Sequence, residues 1–470
     1  MNRILIAVLV ACSAAACGSS NGSSVPDASV DSSDGPADVR GDVPRDEALP
    51  PVDLVEMVGA DVPELPEAQG ELPDEELAEQ PELVPDSGVF SDLPDVADEE
   101  ALVPSDVTPA DLSPAYNFPN QWGPYEVGTR TYQWFDMERM RLVPTTIWYP
   151  GIPGSQPKAK YLVVIEGKAY TNTLADKGGA PYPLVMFSHG FRGVAVQSVT
   201  FTEFIASHGY VVVAMDHVGN TLTDFFSDDE KVAEVALERP RDVVYAYEQA
   251  CAESMKSGSP LNGMIDPSRV AMSGHSFGGW TALMIGGGEV EVSVAQAACA
   301  AGAPSDIFCD YVGYWPSGQV VKAENGIPGL KALVALAPGG YSSFDDAGLA
   351  KVKVPAMIFG GTLDETTPVE VEIDPIYNAL PPPKYEVVLK DVSHMSFTNV
   401  CDVPLAEQAL ADYCGVEGML TADEAFAMTN GLSVAFLDYY VKKISDAKQF
   451  LTPEFAAAFY PSAIFHSQEQ

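Results

Sequence analysis

Gly274-His275-Ser276-Phe277-Gly278 sets one serine between two glycines, a spacing that suits a nucleophile for acyl transfer. Residues 269–272 before it read as a strand, and residues 280–285 after it as a helix. The glycines permit a turn tight enough to stand the serine clear of the backbone with its hydroxyl exposed. A serine hydroxyl attacks only when a base takes its proton, and that base must be held by a third group. Sites of this kind run Ser, then Asp or Glu, then His along the chain. Here the apolar run 354–361 ends in a glycine turn, with Asp364 just beyond it. The run 385–389 then leads to His394. The other histidine after Ser276 is His466, in the polar tail, so His394 is the base by elimination and by position. Asp364 is read as the acid and Glu365 as its fallback. The structural alternative for Asp364 is to cap a helix opened by Glu365-Thr366-Thr367-Pro368.

An acyl-transfer site also needs donors for the developing oxyanion. The apolar run 182–187 leads into Ser188-His189-Gly190-Phe191, and a His-Gly turn after such a strand supplies one backbone amide. The N–H groups of Phe191 and Phe277 are therefore the expected oxyanion hole. The remaining histidines read as structural. His189 is expected to bond nearby loop backbone, His208 to meet the last carbonyls of a helix, and His275 to pack or bond locally, away from substrate. His217 reads as a pocket-lining residue or a hydrogen-bonded loop residue. Arg239 and Asp242 read as an ion pair anchoring their helix. No metal and no cofactor is required.

Further stretches carry a resemblance: Trp148-Tyr149-Pro150, Phe187-Ser188-His189-Gly190, Ala206-Ser207-His208-Gly209-Tyr210-Val211-Val212 running to Asp216-His217-Val218-Gly219-Asn220, Glu238-Arg239-Pro240-Arg241-Asp242, and Ile265-Asp266-Pro267-Ser268-Arg269-Val270. From about residue 122 to His394 the chain resembles the α/β-hydrolase superfamily, and within it the bacterial predicted dienelactone hydrolases similar to platelet-activating-factor acetylhydrolase. The resemblance implies a serine esterase working through Ser276, His394 and Asp364 on short- to medium-chain or lipid-like esters. In the acetylhydrolase the acid follows the strand directly after the elbow helix, whereas that strand here runs into Pro338-Gly339-Gly340. Asp364 matches the dienelactone-hydrolase arrangement, although those enzymes in the narrow sense use cysteine where this chain has Ser276. The same triad serves polyester depolymerases, thioesterases and peptidases, and a non-catalytic surface binding protein can keep the fold.

The elements that must position these residues lie in one part of the chain. Met1-Asn2-Arg3, the apolar run 4–10 and Ala14-Ala15-Ala16-Cys17 read as a secretory signal. Residues 1–17 are expected to be a lipoprotein signal, with Cys17 lipidated and the protein held at the outer membrane or cell surface. Cleavage after Ala16, giving a freely secreted protein, is the alternative. Residues 18–115 hold 26 Asp and Glu against two Arg, with Phe90 the sole aromatic, and read as a disordered acidic linker. That linker carries 24 of the 42 net negative charges, and the charge argues against nucleic-acid partners or an anionic membrane surface. The membrane is expected to be met only through the lipid anchor, and a monomer is favoured. Residues 116–470 alternate strands with helix-length segments, which predicts an α/β fold: a mostly parallel central sheet with helices on both faces. Residues 143–149 and 160–166 read as leading strands, residues 239–253 and 421–445 as helices. The segment 286–329 is either a lid or pocket wall, or a surface excursion pinned by a disulfide. The expected disulfides are Cys299–Cys309 and Cys401–Cys414 with Cys251 free, and a 251–299 or 251–309 link stays open.

Overall fold

Uninterrupted apolar runs such as Leu184-Val185-Met186-Phe187 and Val211-Val212-Val213-Ala214-Met215 have no polar face to give to water, so they belong in a sheet covered on both sides. The computed structural model describes residues 116–470 apart from Phe225 and residues 304–306. The signal segment, Cys17 and the acidic linker lie outside the described residues.

Strands β1 (Glu126–Asp136), β2 (Arg141–Ile152), β3 (Lys158–Tyr161), β4 (Ile165–Thr171) and β5 (Leu174–Ala175) come first. They are followed by β6 (Tyr182–Ser188), β7 (Val211–Met215), β8 (Ile265–His275) and the short pair β9 (Val290–Glu291) and β10 (Val320–Val321). The last are β11 (Leu330–Leu336), β12 (Ala356–Gly361), β13 (Lys384–Leu389) and β14 (Ala463–Gln468). The main sheet is ordered β14-β13-β12-β11-β8-β6-β7-β2-β1-β4-β3, with β5 on β2. From β13 to β7 every neighbouring pair is parallel. Antiparallel strands flank this parallel centre, β14 on one side and β2 on the other, so the sheet as a whole is mixed.

Alternate residues of each central strand face opposite layers. Leu184 and Met186 of β6 join one core with helices α2 (Asp229–Met255), α3 (Phe277–Ile285), α4 (Val292–Ala300) and α5 (Tyr341–Leu349). Val185 and Phe187 join the other, with α1 (Val199–Ser207) and α6 (Ala422–Tyr440). Phe201 and Ile205 of α1 and Leu432 and Phe436 of α6 are fully buried there, each contributing roughly 1.5–3 kcal/mol by leaving water.

Several local expectations need correction. Residues 160–166 are not one strand but the β3–β4 hairpin, turned at Leu162 and Val163 with φ of 48° and 70°. The helix expected at 239–253 begins a full ten residues earlier, because the Asp228 side chain accepts from the Lys231 N–H (2.9 Å) and caps α2 at Asp229. Pro240 sits inside this helix without ending it. Helix α6 opens on a Thr421/Glu424 capping box and ends at Tyr440, short of residue 445. His466 is not in a free tail: it lies on β14 opposite Glu386, and its Nδ1 pairs with Glu386 Oε2 (2.7 Å).

Candidate active site

Ser276 stands alone between the end of β8 and the start of α3 with φ 56° and ψ −117°, a conformation an L-residue adopts only under strain. Its flanking glycines are explained by contact. A Cβ on Gly274 would lie 2.2 Å from Gly278 O, and one on Gly278 would lie 1.8 Å from Ser188 O. The elbow is tied to the sheet by Ser276 N–H donating to Leu336 O (2.8 Å). Ser276 is 4% exposed, and its hydroxyl makes no hydrogen bond among the described residues, His394 included.

The loops after β12 and β13 bring the acid to the base. His394 Nδ1–H donates to Asp364 Oδ2 at 2.8 Å, leaving Nε2 as the free basic nitrogen. Asp364 also accepts from Thr366 N–H (2.9 Å), Thr367 N–H (2.8 Å) and Thr367 Oγ1–H (2.8 Å). It therefore caps its own turn and holds the histidine at once, so the two readings of this carboxylate were not exclusive. Burial works against its charge, but the His394 partner and the Thr367 donors outweigh that and hold the carboxyl below the usual range. Glu365 is exposed and makes no part of the pair. His394 opens a short turn, His394–Phe397, fixed by a Ser393/Ser396 capping box.

Past β6, Gly190 lies directly against the elbow: a Cβ there would come within 3.4 Å of Ser276 Cβ. The turn that follows is closed by Gly193 N–H to Gly190 O (3.1 Å). It is pinned from outside by Arg192 N–H to Asn220 Oδ1 (3.2 Å) and Ala195 N–H to Asp216 Oδ1 (2.7 Å). Within it the Phe191 N–H finds no backbone acceptor among the described residues. Phe277 is the first residue of α3, next to Ser276. Of the two residues read as oxyanion donors, Phe277 directly follows Ser276 and Phe191 follows Gly190, and their rings lie 6.5 Å apart.

The other histidines hold loops. His189 Nδ1–H donates to Gly190 O (2.7 Å), and its Nε2 accepts from His217 N–H (3.1 Å). Burial, then Arg239 and His217, keep its pKa well below the usual imidazole value. His208 bonds Gln121 O (2.9 Å) rather than the carbonyls of its own helix. His275 bonds His394 O through Nε2 (3.0 Å) and the Gln197 amide through Nδ1 (3.1 Å).

His217 belongs to an arrangement the sequence did not announce. Its Nε2 bonds Ser188 Oγ (2.9 Å) and its Nδ1 bonds Asp242 Oδ2 (3.0 Å), a second Ser–His–Asp chain with all three residues fully buried. Asp242 also accepts from Arg139 and from both ends of Arg141 at 2.8 Å. Arg239 does not pair with Asp242, as the ion-pair expectation had it. It donates instead to Ser188 Oγ (3.1 Å), Asn220 Oδ1 (3.0 Å), Thr281 Oγ1 (3.1 Å) and the His189 carbonyl, and its guanidinium lies 4.3 Å over the Phe277 ring. The reason is reach: Asp242 is saturated by two other arginines, which frees Arg239 to brace β6, α3 and the loop at Gly190. Burial and the Arg239 charge push the His217 pKa down to about 3.

The segment 286–329 is packed into the domain. Cys299–Cys309 ties the end of α4 to the next turn. Beyond it Phe308, Val312 and Trp315 are buried, and Trp315 Nε1–H donates to Ala233 O of α2 (2.9 Å). Phe308 meets Phe277 edge-on and stacks on Trp280, both at 4.8 Å, while Tyr311 stacks on Phe191 at 6.2 Å. These contacts make the segment an aromatic wall beside the elbow. Cys401–Cys414 closes the loop after His394, and Cys251 is free and half-buried on α2. Among the described residues, no group of three or more His, Cys, Asp or Glu is arranged to hold a metal ion.

Residues 173–308 match the family model described as chlorophyllase, a span that includes Phe191 and the elbow and stops before Asp364 and His394. Cutinase 1 of Thermobifida cellulosilytica is 26% identical over 202 residues, covering 43% of this chain and 55% of the cutinase. The cutinase of Thermobifida fusca strain YX is likewise 26% identical over 202 residues, covering 48% of that protein. Platelet-activating factor acetylhydrolase of Cavia porcellus is 29% identical, over 23% of this chain and 32% of its own. The chain spans about half the length of the cutinases it matches, and less of the acetylhydrolase.

Proposed function

We propose, from the premise that this chain belongs to the α/β-hydrolase superfamily, that it hydrolyses carboxylic esters through Ser276. The observation that supports this reading is the 2.8 Å His394–Asp364 pair, with the His394 carbonyl bonded to His275, the residue directly before a serine held at φ 56°. As Ser276 Oγ attacks the ester carbonyl, His394 Nε2 takes its proton and later returns it to the leaving alcohol. Asp364 keeps the imidazole in the Nδ1–H tautomer and stabilises its cation. The Phe191 and Phe277 amides receive the oxyanion, and water then releases the acyl group by the same base.

The relatives' names denote cutin-directed enzymes and an acetylhydrolase, which favours an ester as the substrate of this chain. Phe191, exposed and stacked on Tyr311, offers an apolar face suited to short- to medium-chain acyl or lipid-like groups. The two disulfides fit a protein that works outside the reducing cytoplasm.

The test is fluorophosphonate labelling of the full chain beside hydrolysis of p-nitrophenyl esters of increasing acyl length. Labelling and turnover are expected in the wild type and absent in a folded Ser276→Ala variant. Hydrolysis that survives Ser276→Ala would overturn the reading.

A further inference from the structure

Peptide N–H groups can only donate and peptide carbonyls can only accept, so a hydrogen-bonded chain with one at each end has its direction fixed throughout. Such a chain crosses this site. At one end the Gly190 N–H donates to Gln197 Oε1 (3.1 Å). Gln197 must therefore turn its NH2 group towards His275, where it donates to Nδ1 (3.1 Å). The His275 proton must then sit on Nε2, and that N–H donates to the carbonyl of His394 (3.0 Å). The series runs donor to acceptor without a break, and only the neutral imidazole completes it.

The two ends of this chain are the loop before Phe191 and the residue that carries the proposed base. Gly190 precedes Phe191 and lies against Ser276, and His394 carries the base. The middle member is the elbow residue directly before the serine. Gln197 reinforces the link, since its own carbonyl accepts from Asn399 N–H (2.7 Å), just past the His394 turn. There is no slack around it. A Cβ on Gly193 would fall 2.1 Å from Gln197 Oε1, and one on Gly190 would fall 3.1 Å from His275 Nδ1. The His275 and His394 rings lie 4.7 Å apart, and Gln197 and His275 are both buried.

We propose that Gln197 and His275 are positioning residues that hold the oxyanion loop and the basic histidine at one fixed spacing across the elbow. The inference rests on the Ser276–His394–Asp364 reading. Neither side chain touches substrate. They act by fixing where the Phe191 amide and the His394 ring stand relative to Ser276, a geometry whose loosening by an ångström costs on the order of a hundredfold in rate.

The test uses the full chain. His275→Phe fills the space and removes both bonds, Gln197→Met removes the amide at similar volume, and His275→Gln keeps an acceptor and a donor on one side chain. His275→Phe and Gln197→Met are each expected to lower kcat about ten- to a hundredfold with KM changed less than about threefold. The double variant is expected to be no worse than the poorer single one, because both break the same chain. His275→Gln is expected to recover most of the loss. Effects of the two single variants that multiply in the double variant, a folded His275→Phe at wild-type kcat, or a His275→Gln as poor as His275→Phe would each overturn the relay. If His275→Phe does not fold, Gln197→Met and its kcat against KM decide the matter. Ser276→Ala keeps the two readings apart: activity surviving it defeats the hydrolase proposal, whereas wild-type rates in the relay variants with a dead Ser276→Ala defeat only the relay.

Discussion

Asp364 accepts four hydrogen bonds, three from its own turn and one from His394, so the turn aims it while His394 and Thr367 together hold its charge. Asp364→Asn should keep the turn and spoil the tautomer of His394. We expect kcat to fall by about 10⁴ with little change in KM, measured on a p-nitrophenyl ester. Glu365→Gln, exposed and outside the pair, should stay within about twofold of wild type in the same assay; a large loss there would move the acid role to Glu365. The pairing of Asp364 with His394 could be read from sequence because each residue sits just past an apolar run, a local signal. Gln197, Thr367 and Asn220 carried no such mark. Their importance comes from partners 78, 27 and 19 residues away, reached only through the folded sheet.

At the scale of elements, the elbow is the tightest packing in the site. A methyl at Gly278 would overlap the Ser188 carbonyl, which is backbone at the end of β6 and cannot swing aside. Gly278→Ala is expected to cost at least about 2 kcal/mol, read from urea midpoints at constant m. The wall beside α3 is secured by a disulfide spanning 10 residues. Replacing Cys299 and Cys309 together by Ala should lower stability by roughly 2–3 kcal/mol through the loop entropy released, and an unchanged midpoint would mean packing alone holds the wall. The central strands were legible because both faces are apolar. Strand β1 was not, since residues 130–135 alternate between partial burial and solvent, and its pairing along β2 is what reveals it. The split of residues 160–166 was hidden for another reason: Leu162 and Val163 adopt positive φ, which their side chains give no warning of.

Across the whole molecule, three of the four buried imidazoles, those of His189, His217 and His275, are held from protonation by burial. Burial pushes His217 and His275 down to about 3, and His189 well below its usual value. Unfolded histidines bind protons below about pH 6.5, so between there and the folded values the unfolded chain holds more protons. Stability must therefore fall as pH drops through that window, by up to about 1.4 kcal/mol per unit for each ring. Asp364, held low, adds to the loss only further down, as its own partnership protonates. Self-repulsion among the 67 acidic residues works the other way, yet their carboxylates take up protons mainly below about pH 5. Urea midpoints are thus expected to fall steadily from pH 6.5 to 5. A flat profile there would show that all three rings take up protons in the native state as readily as in the unfolded chain.

Ser188, His217 and Asp242 have one further consequence, for the recognition of enzymes by shape. A template asking for a hydroxyl, an imidazole and a carboxylate in series would match Ser188, His217 and Asp242 ahead of Ser276, His394 and Asp364, because the 2.9 Å Ser188–His217 bond is formed while Ser276 makes no such bond among the described residues. What separates them is chemistry the template omits. The Ser188 oxygen already accepts a proton donor from Arg239, and all three residues are sealed from solvent. A nucleophile needs a lone pair without a claimant and a path for its target to arrive.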